Sequence, residues 1–206
     1  FWLIDFGQAV EVSRWRAKWR TENVCGTPRY WSPSSWFQFL AVVPIDTETR
    51  LRNQYVKRLD VFGLGVTALT LLCATALSSS ETPGGQSGSA YYGRSTYYWR
   101  NLLDAWHAYW TDVNKWHEII FTHSEEERYK LLDKENVLEK INAHMSKVRH
   151  CLQDCADHGT EDPRIQRILI VLAKMLDETS DFALREAVEM LGLECMSLDD
   201  LGIPSG

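Results

Sequence analysis

A mainly α-helical domain, entered through one short strand, is the fold class this sequence predicts, and three stretches predict it. Val61–Leu77 is apolar almost without a break, Tyr97–Phe121 spaces large apolar residues by three and four, and Leu138–Cys155 repeats that spacing. Such spacing sets apolar side chains on one face of a helix. The strand is Phe1-Trp2-Leu3-Ile4, an apolar run ended by Asp5, Phe6 and Gly7.

With 206 residues the chain suits one domain, large enough to bury roughly 70% of its unfolded surface. A net charge of −6 argues against a general nucleic-acid binder. The nine tryptophans are expected to dominate core and groove contacts. Five cysteines without a Cys-x-x-Cys pair point to reduced thiols in the cytosol or nucleus. Cys151 and Cys155, flanked by His150 and His158, invite a zinc reading, but helix packing explains their spacing better. The Val61–Leu77 run is interrupted by Gly63, Gly65 and threonines and is too short to span a membrane. No signal peptide is visible, and a start at Phe1 rather than Met leads us to expect further native sequence upstream.

Taken in order, the strand delivers Asp5 to its end with a flexible glycine behind it, a good place to hold a hard metal ion. Residues 8–25 look loop-like, with an inner alternation of Arg14, Arg16, Lys18 and Arg20 against Trp15, Ala17 and Trp19. That period of two fits a strand with one basic face over two packed tryptophans. A solvated face explains most of these charges better; the alternative is a basic patch that receives a phosphate on Thr21 or Ser13, and of the two Thr21 is preferred because it stands just before the next motif. In Cys25-Gly26-Thr27-Pro28-Arg29-Tyr30, Gly26 and Pro28 fix a turn. Residues 36–55 read as a loop with a short helix. Asp60 is placed as the N-cap of the Val61–Leu77 helix, a role worth about 1 kcal/mol. Because that helix is apolar on nearly all faces, it is expected to be surrounded by its own protein.

Three of these stretches together resemble protein kinases. Leu3-Ile4-Asp5-Phe6-Gly7 is similar to the Asp-Phe-Gly segment. Gly26-Thr27-Pro28-Arg29-Tyr30-Trp31-Ser32-Pro33-Ser34 resembles the Gly-Thr-Pro-x-Tyr-x-Ala-Pro-Glu run that closes the activation segment. Asp60-Val61-Phe62-Gly63-Leu64-Gly65-Val66 is similar to the Asp-Val-Trp-Ser-Leu-Gly-Val signature opening the central helix of the large lobe. The three occur in family order. The resemblance implies that Asp5 binds Mg²⁺ on the phosphates of ATP and that Phe6 and Gly7 switch the segment. It further implies that Thr27 faces the substrate region, favouring Ser/Thr substrates, and that Asp60 steadies the catalytic-loop backbone. Ser34 departs from the family, standing where Glu is usual. Phe182 stands near the place of the Arg that pairs with that Glu. Losing one member of a buried ion pair costs about 3–5 kcal/mol, whereas losing both is often nearly neutral.

Ser78–Ala90, rich in Ser and Gly, reads as a surface loop. Leu102, Trp106, Tyr109, Val113, Trp116 and Ile120 then mark an amphipathic helix expected to pack on the lobe. Ser124-Glu125-Glu126-Glu127 is a capping-box start for a helical region ending near Gly159, striped by Leu138, Ile141, Met145, Val148, Leu152 and Cys155. A coiled-coil partner and a helix laid on the same lobe both fit that stripe, and the second is preferred. Pro163 opens a further helix through Met175-Leu176, and Gly192 ends the last one before a short turn at Ser197–Asp200.

The expected whole is the C-terminal, large lobe of a protein-kinase-like fold with an enlarged helical insert, a partial kinase domain over residues 1–206. Residues 1–34 form the activation segment, 55–77 the central helix, 78–160 a loop and helical insert, and 163–192 the closing helices. Neither a His-Arg-Asp-x-x-x-x-Asn run nor Gly-x-Gly-x-x-Gly occurs, so the catalytic-loop Asp is expected upstream and these residues alone are expected to be inactive. ATP and Mg²⁺ are the implied cofactors of the full-length protein, and a protein substrate is the implied partner. Residues 91–158 are a candidate surface for a regulatory partner, and neither nucleic acid nor membrane is expected. The alternative is a pseudokinase or scaffold that binds partners through the helical insert. Ser34 and the missing arginine favour it, and the intact Asp5-Phe6-Gly7 opposes it.

Overall fold

The computed structural model describes residues 12–19, 26–40, 45, 49–79 and 90–193. They are mainly helical, with no strand among them. The strand expected at Phe1–Ile4, most of the Ser78–Ala90 loop and the Ser197–Asp200 turn lie outside the described residues.

The axis of the fold is α5, Ala90–Thr122. Its stripe Leu102, Trp106, Tyr109, Val113 and Trp116 is buried as the spacing predicts, with Ile119 rather than Ile120 completing it. Across it lies α7, Val137–Asp154, which buries Val137, Ile141, Met145, Val148, Cys151 and Leu152. The two stripes that a partner would otherwise cover thus face one another. Each fully buried aliphatic side chain in this seam contributes about 1.5–3 kcal/mol. α6, Glu125–Lys134, precedes α7, and the Glu127 carboxylate accepts from the Ser124 hydroxyl at 2.8 Å, part of the expected capping box. The helical region is not continuous, however: Asn136, at φ 53°, turns the chain between α6 and α7. Asn tolerates that left-handed geometry better than most residues.

α4, Leu59–Ser79, and α8, Pro163–Met175, cross where Gly65 lets the backbones approach. A Cβ on Gly65 would stand 3.1 Å from Met175 Cβ, so side-chain volume has no room there. Asp162 caps α8 by accepting from the Arg164 N–H at 2.8 Å, ahead of Pro163 at the first position. α9, Leu184–Leu191, ends at Gly192 with φ 65° and closes a smaller cluster of Val61, Val171, Met175, Phe182 and Ala187.

Four sequence expectations are corrected. Residues 12–18 are not a strand but α1, Val12–Lys18. Trp15 and Trp19 are four apart, so a helix puts both on one side, where they meet Tyr55 with ring centroids 5.4 and 6.0 Å away. The 36–55 stretch holds most of two helices, α2 (Pro33–Leu40) and α3 (Thr49–Lys57). α2 starts on a Ser-Pro signal: the Ser32 hydroxyl accepts from the Ser35 N–H, and Pro33 fits the first position. The third correction concerns α4, which is not enclosed on all sides. Leu64 and Leu71 are 46% and 64% exposed, and Thr67 shares their open face. The last is Asp60, taken up below.

Among the described residues no single helix is long and apolar enough to cross a membrane; α3 and α4 meet that composition only as a pair bent by 71°.

Candidate functional site

Of the expected activation segment, the described residues include Gly26–Ser34, which runs on into α2. Gly26 has φ 85°, a conformation that L side chains rarely adopt, although a Cβ there would meet nothing within 4 Å. The glycine is therefore required by backbone geometry, not by crowding. Thr27 follows in extended geometry, exposed, and its carbonyl accepts from the Tyr30 N–H at 2.9 Å. Pro28 is buried at the start of a 3₁₀ turn, Pro28–Tyr30. α5 clamps this turn: Tyr30 meets Trp110 edge-on at 5.9 Å, and the Tyr109 hydroxyl donates to the Arg29 carbonyl. Burial, with the neighbouring Tyr30, holds the Tyr109 phenol above its ordinary range, so it remains a neutral donor.

Beyond the turn, Trp31 and Trp36 pack at 5.1 Å, and Trp36 meets Trp116 of α5 at 5.5 Å. The start of α2 is then anchored by polar contacts. Ser32 Oγ lies 2.7 Å from Ser34 Oγ and 3.0 Å from Ser35 Oγ. The Ser34 N–H donates to both Glu178 carboxylate oxygens at 3.1 Å, and its hydroxyl donates to one of them at 2.8 Å. Burial raises the Glu178 carboxyl above the usual range, against the Ser34 bonds, a Ser32 bond and the Arg58 charge.

Arg58 stands at the elbow between α3 and α4 and organises the loop that follows α8. It is 7% exposed and donates to the carbonyls of Lys174, Met175, Asp177, Ser180 and Phe182, and to Gln54 Oε1. A guanidinium fork suits such a set, because it presents five fixed donors. Two of these bonds reach carbonyls in the last turn of α8 and three reach carbonyls of the loop beyond it. Burial lowers Arg58 from its ordinary value, while Glu178 and Asp177 pull it back. The loop between α8 and α9 is held further by Arg50 to the Glu178 carbonyl, Gln54 to the Ser180 carbonyl, and an Arg149–Asp177 ion pair.

Ser34 beside Glu178 is not a hydrolytic arrangement. Ser32, Ser34 and Ser35 are at most 3% exposed, so no substrate reaches their hydroxyls. The contact fastens one segment to another.

No family model, curated protein or solved structure matches the chain.

Of the residues singled out from sequence, Gly26, Thr27 and Pro28 come together in one turn. Asp5, Phe6, Gly7 and Thr21 lie outside the described residues. Asp60 is exposed and is the second residue of α4, so it is not the N-cap. An acidic group in a first turn still opposes the positive end of the helix dipole favourably. The described residues contain no group of three side chains fit to ligate a metal ion. Cys151 and Cys155 are buried in the core, while His150 and His158 are exposed and occupied with Asp154 and Tyr98.

Two organising residues, Arg58 and Glu178, were not singled out from sequence. Isolated polar residues carry no periodic signal, and their partners lie more than a hundred residues away. The available clue was a charged residue directly before an apolar helix, in Arg58-Leu59-Asp60-Val61.

Proposed function

We propose that this chain is the large-lobe portion of a protein kinase domain, and that the full-length protein transfers phosphate from ATP to protein Ser or Thr. The observation that carries the reading is the Ser34–Glu178 tie. In the family the helix after the Gly-Thr-Pro turn is fastened to the loop between the closing helices by an ion pair. Here the helix after the resembling turn is fastened to the α8–α9 loop through Ser34 and Glu178, which parallels that tie with the carboxylate supplied from the opposite side. The order of the three motifs and the open, apolar Leu64–Leu71 face of α4, which further sequence of the domain would cover, add support.

In this reading Gly26 and Pro28 shape the surface that receives the substrate residue beside the phosphoacceptor, and exposed Thr27 contacts it. Asp5 would hold Mg²⁺, which would supply charge neutralisation on the transferring phosphoryl group. The described residues contribute positioning: α5 and the Ser34–Glu178 tie fix the substrate-side turn against the lobe. Thr21 is the candidate regulatory phosphosite, ATP and Mg²⁺ are the cofactors, and the cytosol or nucleus is the compartment.

The pseudokinase or scaffold reading is favoured by the replacement of the family's ion pair. Extending the sequence upstream of Phe1 separates the two. A catalytic-loop Asp and a strand Lys support the enzyme, and substitution of both supports the scaffold. Phosphotransfer by the isolated 206 residues that is lost on Asp5→Ala would overturn the assignment of this chain as an inactive portion.

A further inference from the structure

The peptide unit joining Arg29 to Tyr30 is bonded at both ends. Its carbonyl accepts from the Tyr109 hydroxyl of α5 at 3.3 Å, and its N–H donates to the Thr27 carbonyl at 2.9 Å. A peptide unit is planar and rigid, so holding its oxygen fixes the direction of its N–H. Exposed Thr27, at the entrance of the turn, is thereby tied to a helix residue 80 positions beyond Arg29.

Packing does not account for that hydroxyl. Tyr109 is fully buried, stacked on Trp106 at 4.9 Å and beside Trp110 at 5.9 Å. A phenylalanine would fill nearly the same volume and keep these ring contacts. A buried hydroxyl costs free energy unless it is paired. Its acceptor here is the Arg29 carbonyl, a backbone group outside the helix that carries it. Burial keeps the phenol protonated, as a donor must be. Trp110 braces the same turn from the side, edge-on to Tyr30 at 5.9 Å.

We propose that Tyr109 is a positioning residue for the substrate-side turn: through the Arg29–Tyr30 peptide unit, its hydroxyl sets where Thr27 meets a protein substrate. That role rests on the kinase reading above. It places control of the surface in α5, a helix of the insert that none of the three kinase-like motifs includes. Because Tyr109 is fully buried, it touches neither nucleotide nor substrate and takes part in no chemical step.

Tyr109→Phe tests this by removing the hydroxyl and keeping the ring. Hydrogen exchange in the full chain should be about tenfold faster at the Tyr30 amide, as expected from losing one supporting bond, and unaltered at Met145 and Val148 of α7. In the full-length protein, kcat/KM for a protein substrate should fall about tenfold through KM, while KM for ATP stays the same. Unchanged exchange at Tyr30 overturns the positioning role. Equal acceleration at Tyr30 and in α7 does so too, because the hydroxyl would then only stabilise the fold. Faster exchange at Tyr30 with kcat/KM intact, or with KM for ATP raised in parallel, overturns the link from the turn to the substrate. No transfer by the unaltered full-length protein, with Tyr30 exchange still accelerated in the variant, overturns the kinase reading and leaves the grip of Tyr109 on the turn standing.

Discussion

Ser34 is fastened to Glu178 by both its backbone N–H and its hydroxyl, across 144 positions of sequence. Arg58, whose charge acts on that carboxylate, gathers the carbonyls that end α8. The turn at Gly26–Pro28 is thereby tied to the α8–α9 loop through α2.

Truncating Glu178 takes the buried acceptor from the N–H and hydroxyl of Ser34 and removes one of the negative charges near Arg58. Glu178→Ala should cost about 3 kcal/mol, the range for breaking a buried charged contact. Ser34→Ala keeps the backbone bond and removes only the hydroxyl, so about 1 kcal/mol is expected. Urea denaturation of both variants and of the double variant measures the coupling, which should be nonzero because the residues touch.

The pH profile of stability should carry the Glu178 signature. Its carboxyl is raised in the folded state by burial, so the folded chain holds that proton to higher pH than the unfolded one. The contribution is fully present below the unfolded-state pKa, about 4.3 for Glu, and is lost as pH rises through the folded value. Asp177 has the opposite sign. Burial pushes its carboxyl up, but the bonds from Thr179 and the Arg149 charge outweigh that and hold it low. Its contribution is present above its unfolded value and is lost as pH falls. Glu178→Gln should flatten the decline above roughly pH 4 and leave the acid limb in place. Identical profiles in the two proteins would contradict this account.

Gly63 and Gly65 stand in the same helix and should respond differently to Ala. A Cβ at Gly63 meets nothing within 4 Å, so Gly63→Ala should stabilise by about 0.5–1 kcal/mol through helix propensity. At Gly65 the new methyl meets Met175 and Leu176 at 3.1 and 3.2 Å, which offsets that gain. Gly65→Leu should destabilise by about 1–3 kcal/mol as overpacking. Thermal unfolding of the three variants decides it, and stabilisation by Gly65→Leu would show that α4 and α8 do not approach as described.

Burial pushes the thiols of Cys73 and Cys155 up to about 12 and raises Cys151 as well. The thiolate is the reactive form, so at pH 8 these three should be alkylated only as the chain unfolds. Peptide mapping after brief iodoacetamide treatment, with and without urea, checks this. Native labelling at Cys73 or Cys155 as fast as in urea would be the contrary result.

The helices were legible where one face repeats. The α5 and α7 stripes, Pro163 and Gly192 could be read directly, because apolar spacing and terminal residues act locally. α1 was misread because Arg14, Arg16 and Lys18 alternate as they would in a strand, while the helical relation of Trp15 to Trp19 rests on only two residues. α2 was hidden because its start depends on Ser32 and Pro33, and its buried face is mostly serine and tryptophan without a repeat. The open face of α4 could not be read at all, since Leu64 and Leu71 are as apolar as their buried neighbours. Glu178 was invisible for a different reason: both members of the family's ion pair read as absent at Ser34 and near Phe182, and nothing local marks a carboxylate four residues before Phe182 as the partner of Ser34.

The most direct measurement is transfer of labelled phosphate from ATP to Ser or Thr of a protein substrate by the full-length protein, beside its Asp5→Ala variant. The account predicts transfer that falls at least a hundredfold in the variant, because the carboxylate proposed to hold Mg²⁺ would be lost. Transfer unchanged by Asp5→Ala, or no transfer by a full-length protein with an intact catalytic-loop Asp and strand Lys, would contradict it.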